Sequence, residues 1–410
     1  MKRLHNDRGV ALILTILVVS LIVGFTIQFN TNMYKHVESA RTNKDDLKAL
    51  YAAKSGVSFA LALLKAYDRP EVTTLFELKL QLSEEGKTVN QICEELGVQP
   101  AGESEDEGES DDTDWGDGGS EDTESGNEGQ EDTELSPCSL GEFEPMDNCK
   151  FEIIDECGKI QLNSLPREID QVDTQNRFLE SYFRQFGLKG SHYEDMDAAY
   201  PWYEVLDWID SDQDGRDAWG ASDVDSKNGP LWSLQELKLI KELEPERLRE
   251  IIESNEDLSE EGGYVTGDDL FNDIIGHLTI FEANEGNTGK INVNTASRKV
   301  LISLLMLHGD VLDPLTAEEK ADLLEQYRCS GAVDSSQLAS TDWFYQTANL
   351  PKNKDKNKDL ERLITTKSDL FRIEAVGTAG NVEKHVTAVV KRATKSESGT
   401  DFHVVFWSVE

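Results

Sequence analysis

The sequence predicts an α+β fold: a long N-terminal helix, apolar in its first half, packed on an antiparallel sheet, with a large α-helical domain inserted into the head. Three observations predict it. Residues 10–29, VALILTILVVSLIVGFTIQF, carry no charge. Beyond them apolar residues recur at three- or four-residue intervals as far as Leu64. The chain closes on three alternating segments, LFRIEAVGTAG, VEKHVTAVVKR and FHVVFWSV, which read as strands of a sheet against that helix.

As a helix, residues 10–29 span about 30 Å, enough to cross the hydrocarbon core of a bilayer. Lys2, Arg3 and Arg8 before the run favour a cytoplasmic N-terminus, although Lys35 and Arg41 weaken the asymmetry. A secretory signal peptide would show a small-residue cleavage site after its apolar core, and no A-x-A-like site follows this one. The basic region instead ends at Arg8-Gly9-Val10, before the run. An ordinary single-pass anchor fits these residues. They also resemble the class III leader of type IV pilins and type II secretion pseudopilins. That resemblance implies cleavage by prepilin peptidase between Gly9 and Val10, and methylation.

Most pilins carry Glu at the fifth position after cleavage, where it is thought to pair with a neighbouring subunit's terminal amine. Here that position is Leu14. A carboxylate at a helix centre costs about 2.5–3.5 kcal/mol on insertion scales and needs a partner. A subunit with no neighbour ahead of it can dispense with the Glu, so Leu14 fits a tip subunit.

The helix is expected to continue along Met33, Val37, Ala40, Leu47, Leu50, Ala53, Val57, Leu61 and Leu64. A coiled-coil stalk is the alternative, but the Ala, Gly and Ser content of residues 50–64 suits close packing on a sheet. The 410 residues exceed one ordinary domain, and the net charge is −40. Residues 103–134 contribute 16 acidic side chains and no Lys or Arg. Such a composition cannot bury enough apolar surface to offset ordering entropy, so it reads as a solvated insertion. A weak calcium-attracting tail is the alternative reading of that segment. The acidity opposes nucleic-acid binding, which needs a positive footprint.

Five cysteines, Cys93, Cys138, Cys149, Cys157 and Cys329, form no C-x-x-C pair. One disulfide among Cys138, Cys149 and Cys157 is expected, with the pairing open. Cys149 and Cys157 flank the strand KFEIIDE and lie too far apart to bond unless the chain turns.

The segment KFEIIDECGKIQLNSL reads as a strand, a turn and a second extended piece. Helical runs are expected at 175–186, 201–209 and 234–254. In GKINVNTASRKVLISLL, Asn294-Thr295 are expected to cap a helix with Val300, Leu301 and Leu304 inward. GKIQLNSL at 158–165, DWID at 207–210, GASD at 220–223, SLQELKLI at 233–240, GKINVNTA at 289–296 and FRIEAVG at 371–377 occur in the order seen in GspK-type minor pseudopilins. This second resemblance covers nearly the whole chain outside the acidic insertion. It implies a pilin-like head, an inserted helical domain with SAM-like units, and a place at the pseudopilus tip beside minor pseudopilins I and J, on the inner-membrane secretion platform.

The expected division is a leader at 1–9, a transmembrane helix at 10–29 and its periplasmic continuation at 30–66. The first part of the head, at 67–165, holds the acidic insertion 102–135. An inserted helical domain follows at 166–285, a second SAM-like unit at 286–365 and the closing strands at 366–410. The expected location is the cell inner membrane with a periplasmic body.

The clearest site is DWIDSDQDGRDAWGASDVD. Asp210, Asp212, Asp214 and Gly215 match positions 1, 3, 5 and 6 of an EF-hand loop, but Ala221 stands where the bidentate Glu belongs. An irregular calcium loop closed by Asp217, Asp223 or Asp225 is the expectation, and GspK-like proteins carry calcium in this region. A solvated acidic loop is the alternative. No G-x-S-x-G, P-loop or H-E-x-x-H motif occurs, and His192 and His277 lack a ligand cluster, so no enzymatic role is expected. I-N-V-N-T-A also resembles the helix-hairpin-helix unit of DNA-uptake proteins. LLMLHGDVLDP follows it in place of a G-I-G-like turn, which favours a structural hairpin. The competing functions are a tip minor pilin of a type IV pilus and a membrane-tethered calcium-dependent binding protein.

Overall fold

The computed structural model describes residues 7–66, 143–146, 148–164, 169–188, 201–209, 227–255, 258, 262–329, 335–352, 358–393 and 401–410. Helix α1, Asp7–Ala66, runs 60 residues without a proline, about 90 Å. Its hydroxyls stay inside the helix: Thr15 Oγ1 donates to the Leu12 carbonyl (2.8 Å), Ser20 Oγ to Leu17 (2.9 Å) and Thr26 Oγ1 to Ile22 (2.9 Å). No polar group of these side chains needs water, which suits a segment bound for lipid.

The sheet explains where α1 ends its free run. Strands β1 (Phe143–Met146), β2 (Cys149–Asp155), β7 (Leu370–Ala379), β8 (Val382–Arg392) and β9 (Phe402–Val409) form one five-stranded antiparallel sheet in the order β1-β2-β7-β8-β9. Alternation places Phe151, Ile153, Phe371, Ile373, Ala375, Val386, Ala388 and Val390 against Ala53, Val57, Phe59, Ala60, Leu63 and Leu64 of α1. The α+β class and the helix-on-sheet packing therefore stand as expected.

The expected stripe on α1 needs correction in its upper half. Met33, Val37, Ala40 and Leu47 are exposed, and the buried face begins at Ala49. Burial there depends on close approach rather than on large side chains. A Cβ on Gly377 would lie 2.1 Å from the Ala49 carbonyl oxygen, and one on Gly56 would lie 2.8 Å from Cys149 Sγ. Only where the sheet rises to meet the helix does the stripe acquire a partner.

The helical body enters between β2 and β7, which are neighbours in the sheet. Its helices are α2 (Ile169–Arg184), α3 (Pro201–Ile209), α4 (Pro245–Ser254), α5 (Gly267–Gly276), α6 (Arg298–Leu305), α7 (Pro314–Arg328), α8 (Ser335–Leu338), α9 (Asp342–Thr347) and α10 (Lys358–Leu363). Two short parallel pairs stitch it: β3 (Ile160–Gln161) with β4 (Leu278–Thr279), and β5 (Ile291–Asn292) with β6 (Ile364–Thr365). One apolar core, including Phe178, Tyr182, Phe186, Trp202, Phe271, Leu301 and Phe344, runs through the body.

Local chemistry revises two expectations. The run 234–254 is not one helix: 3-10 turns at Leu234–Leu239 and Lys241–Leu243 precede α4, which starts at Pro245. Proline offers no N–H and suits a first helical position, so the chain restarts there. Ser297 caps α6, its hydroxyl accepting from the Val300 N–H, where Asn294-Thr295 were expected. Asn294 is instead buried, its amide donating to the Leu338 carbonyl (3.1 Å) and its oxygen accepting from Trp343 Nε1 (2.9 Å). Val300, Leu301 and Leu304 do face inward.

Cys149 and Cys157 are buried free thiols, which removes both from the expected disulfide. Cys149 opens β2, an extended strand of seven residues and about 23 Å, and Cys157 lies in the 3-10 turn just beyond its far end. Cys329 is disulfide-bonded. Cys93, Cys138 and the acidic insertion lie outside the described residues.

Candidate assembly surface

Among the described residues, α1 is the one helix long and apolar enough to cross a membrane. Its large apolar side chains from Leu12 to Val37 are each 45–77% exposed, so nothing in the described chain covers them. Leu14, at 62%, adds no charge to this surface. Gly9 and Val10 lie in the first turns of α1, where the backbone is already helical.

Two ion pairs hold the seated part of the helix at its ends. Lys384 Nζ of β8 stands 3.2 Å from Asp46 Oδ1, and Lys65 Nζ stands 2.9 Å from Asp401 Oδ1 just before β9. Both pairs are largely exposed and each contributes little energy; they fix register more than stability. Where α1 leaves the sheet, a groove opens between Lys44, Leu47, Lys48 and Tyr51 on the helix and Thr378–Gly380 at the hairpin tip.

The motif residues meet at the joint between sheet and helical body. Asp155, at the end of β2, accepts from the Cys157 N–H (2.8 Å), Asn292 Nδ2 (3.0 Å), Thr295 Oγ1 (2.6 Å) and Ser368 Oγ. Burial pushes its carboxyl up, and these four donors oppose the shift. Gln161 donates to the Lys290 carbonyl (2.8 Å) and accepts from the Ala283 N–H (3.0 Å) and the Gly289 N–H (3.3 Å). Asn163 closes a two-way bond with Leu231, donating to its carbonyl and accepting from its N–H, and also donates to Ile280. GKIQLNSL and GKINVNTA thus pack on each other: Gly158 lies so close to Thr295 that a Cβ there would meet its backbone at 2.9 Å. Their shared G-K-I-x-x-N pattern is the signal in the sequence that marks this joint.

Glu156 sits in the same joint. Burial pushes its carboxyl up, but Lys159 (3.0 Å) and Arg372 (2.8 Å) more than offset that and hold it below its ordinary value.

Asp210, Asp212, Asp214, Asp217, Asp223 and Asp225 lie outside the described residues. The two ends of their loop are described and close together. α3 delivers the chain through buried Trp202, Val205, Leu206, Trp208 and Ile209, and the Gly229 N–H donates to the Trp208 carbonyl at 3.4 Å. No group of three metal-ligating side chains occurs among the described residues.

Glu204 is the site residue that pattern reading passed over. It is only 8% exposed, and its Oε2 has no hydrogen-bond partner. Burial, then the charge of Glu242, push its carboxyl up to about 7. A carboxylate four residues before Trp208, on the apolar face of α3, is the cue that exposes it.

The helix-hairpin-helix alternative meets a buried segment. Ile291, Asn292, Val293, Asn294 and Ala296 are all buried. The Asp310 N–H, in the following turn, donates to His308 Nδ1 (3.1 Å) rather than facing outward to phosphate.

No family model matches the chain, and no curated protein matches it. Among solved structures, the chain is similar to the GspK-GspI-GspJ complex from the type 2 secretion system of enterotoxigenic Escherichia coli. The identity is 16% and the TM-score 0.42, over 66% of this chain and 82% of that one.

Proposed function

We propose that this chain is a non-enzymatic minor pseudopilin of a type II secretion system. Prepilin peptidase cuts it after Gly9. The mature helix waits in the inner membrane and then packs with the helices of minor pseudopilins I and J. The head caps the pseudopilus tip and primes its growth. Six aspartates, Asp210, Asp212, Asp214, Asp217, Asp223 and Asp225, hold calcium in the inserted helical body.

The observation that carries this reading is the division of α1. Its first half exposes an unbroken apolar surface, while Ala49–Leu64 side chains are locked into the head through Gly56 and Gly377. An independent membrane receptor needs only an anchor and has no reason to run one rigid helix from lipid into the core of its head. A filament subunit needs that rigidity, because the helix transmits the position of the filament core to the head. Leu14 and the bulk of the inserted body support the tip over the repeating shaft.

The test is mass spectrometry of the membrane-extracted protein together with co-purification. An N-terminus at Val10 and recovery with two smaller pseudopilins support the proposal. An intact Met1 terminus overturns the filament reading, and a Val10 terminus with pilus subunits in place of pseudopilins favours the type IV pilus.

A further inference from the structure

The face of α1 between the apolar segment and the seat at Ala49 keeps a heptad. Met33, Val37, Ala40, Lys44, Leu47 and Tyr51 follow one another in alternating steps of four and three. That period holds one seam of a helix toward a partner helix. All six side chains are exposed, and Met33, Val37, Leu47 and Tyr51 are 45–66% accessible. Counted back, the same register passes Val23, Val19 and Ile16 of the apolar segment. The sheet does not account for this face, because Ala49, Ala52 and Ala53 are the side chains that α1 buries at this level.

One charge interrupts the seam. Lys44 occupies an a position, with Arg41 and Lys48 beside the seam at e positions. The adjacent carboxylates of α1 are engaged by the sheet. Asp46 Oδ1 pairs with Lys384 Nζ (3.2 Å), and Asp45 Oδ2 faces Gly380, where a Cβ would stand 3.1 Å from it. Among the described residues, Lys44 and Lys48 have no ion-pair partner. Residues 30–66 carry six Lys or Arg against three Asp or Glu, in a chain whose net charge is −40. Lys44, Leu47, Lys48 and Tyr51 also form one wall of the groove that Thr378–Gly380 closes. At about 1290 Å³ it exceeds an ordinary small-molecule pocket and has room for the side chains of a packed helix.

A lone lysine at a core position of a helix pair costs stability, and it fixes register and partner when a carboxylate meets it. A second copy of this chain does not supply that carboxylate. Two copies anchored in one membrane run parallel. In register they set Lys44 against Lys44, and one head beside another of the same strongly negative charge.

We propose that the Met33–Tyr51 face of α1 docks a helix of a different protein, one with an apolar heptad seam, a carboxylate opposite Lys44 and acidic side chains toward Arg41 and Lys48. Lys44 is then the residue that selects the partner and sets its height along α1. The proposal deepens the assembly reading of α1, and it rests on that reading for the source and direction of the partner helix.

Two synthetic helical peptides of about four heptads, with Leu at the other seam positions, are the probes; one carries Glu and the other Lys at a central core position. Fluorescence anisotropy follows their binding to the full chain in detergent micelles. The Glu peptide should bind about tenfold more tightly than the Lys peptide, a modest discrimination for a close charge pair. Lys44→Glu should reverse that order, and Val37→Asp/Leu47→Asp should abolish binding of both peptides. The substituted side chains are exposed, so the melting curve of the head should not change. Equal binding of the two peptides, an order that Lys44→Glu leaves intact, or no binding of either overturns the proposal. So does self-association of the parent through this face, which would assign it to a second copy. An intact Met1 terminus together with the expected charge preference would sink the filament reading alone and leave the docking face standing.

Discussion

Gly377 of β7 lies directly under the Ala49 carbonyl of α1, leaving only 2.1 Å for a Cβ. The same Cβ would approach the Ala53 nitrogen at 2.4 Å, so helix backbone rests on strand backbone at this point. Gly377→Ala therefore cannot be absorbed by a side-chain rotation. It should lift α1 from the sheet and cost about 3 kcal/mol, at the upper end for overpacking. Chemical denaturation of the detergent-solubilised chain measures it; an unchanged midpoint would mean that the helix is not seated there.

Asp155 gathers donors from three separate stretches of chain: Cys157 beside it, Asn292 and Thr295 in the second motif, and Ser368 before β7. Removing the carboxylate leaves several buried donors without an acceptor, each costing about 1–3 kcal/mol. Asp155→Ala should thus destabilise the joint by more than about 3 kcal/mol. Limited proteolysis should then separate the helical body from the sheet, whereas Thr295→Val, which removes one donor, should cost only about 1 kcal/mol.

These two sites show what a sequence does and does not reveal. The apolar half of α1, the bounds of α3 at 201–209 and the strands β7, β8 and β9 follow from hydrophobic period, a property of each segment alone. The seat at Gly377 depends on a partner more than 300 residues away in sequence, and a lone Gly in FRIEAVG carries no sign of it. Asn292, Asn294 and Gln161 look like loop residues because polar side chains enter a core only when specific partners await them. Met33 and Val37 erred in the opposite direction: they keep the helical period although the described chain gives them nothing to bury against. The aspartate motif lies outside the described residues, and the buried Glu204 just before it in sequence needs tertiary burial to stand out.

Glu204 gives an unusual pH response. Its carboxyl rises from 4.5 to about 7 on folding, so the folded state binds the proton more tightly than the unfolded state. The penalty is absent below pH 4.5, grows as pH rises to 7 and is complete above it. In calcium-free buffer, Glu204→Gln should be more stable than the parent at pH 8 by about 1–2 kcal/mol, and the difference should vanish near pH 4.5. A constant difference across that range would assign the effect to packing instead of ionisation.

Asp273 responds with the opposite sign. Although burial pushes its carboxyl up, hydrogen bonds from His277, Lys299 and Tyr264 hold it well below the usual carboxylate range. Lys299 Nζ lies 2.6 Å away and ties α6 to α5. The stabilisation is present above the unfolded value of about 3.9 and fades as pH falls further. Because both side chains are partly solvated, Asp273→Asn should cost about 1–2 kcal/mol at pH 7 and progressively less in acid. Denaturant titrations at pH 7 and pH 3 check it.

The aspartate loop makes the last prediction. Six aspartates within sixteen residues repel one another, and the single Arg216 among them cannot balance that charge. The Trp208–Gly229 hydrogen bond brings the two described ends of the loop together. A divalent cation that binds only the folded chain at a hundred times its dissociation constant stabilises by about 2.7 kcal/mol. For a protein of this size that corresponds to roughly 3 °C in melting temperature. Calcium should produce such a rise, chelator should reverse it, and Asp210→Ala/Asp212→Ala should abolish it. Magnesium should do less, since an irregular loop suits the larger ion's flexible coordination. If the double variant responds to calcium as strongly as the parent, the ion is held elsewhere and this loop is a solvated acidic turn.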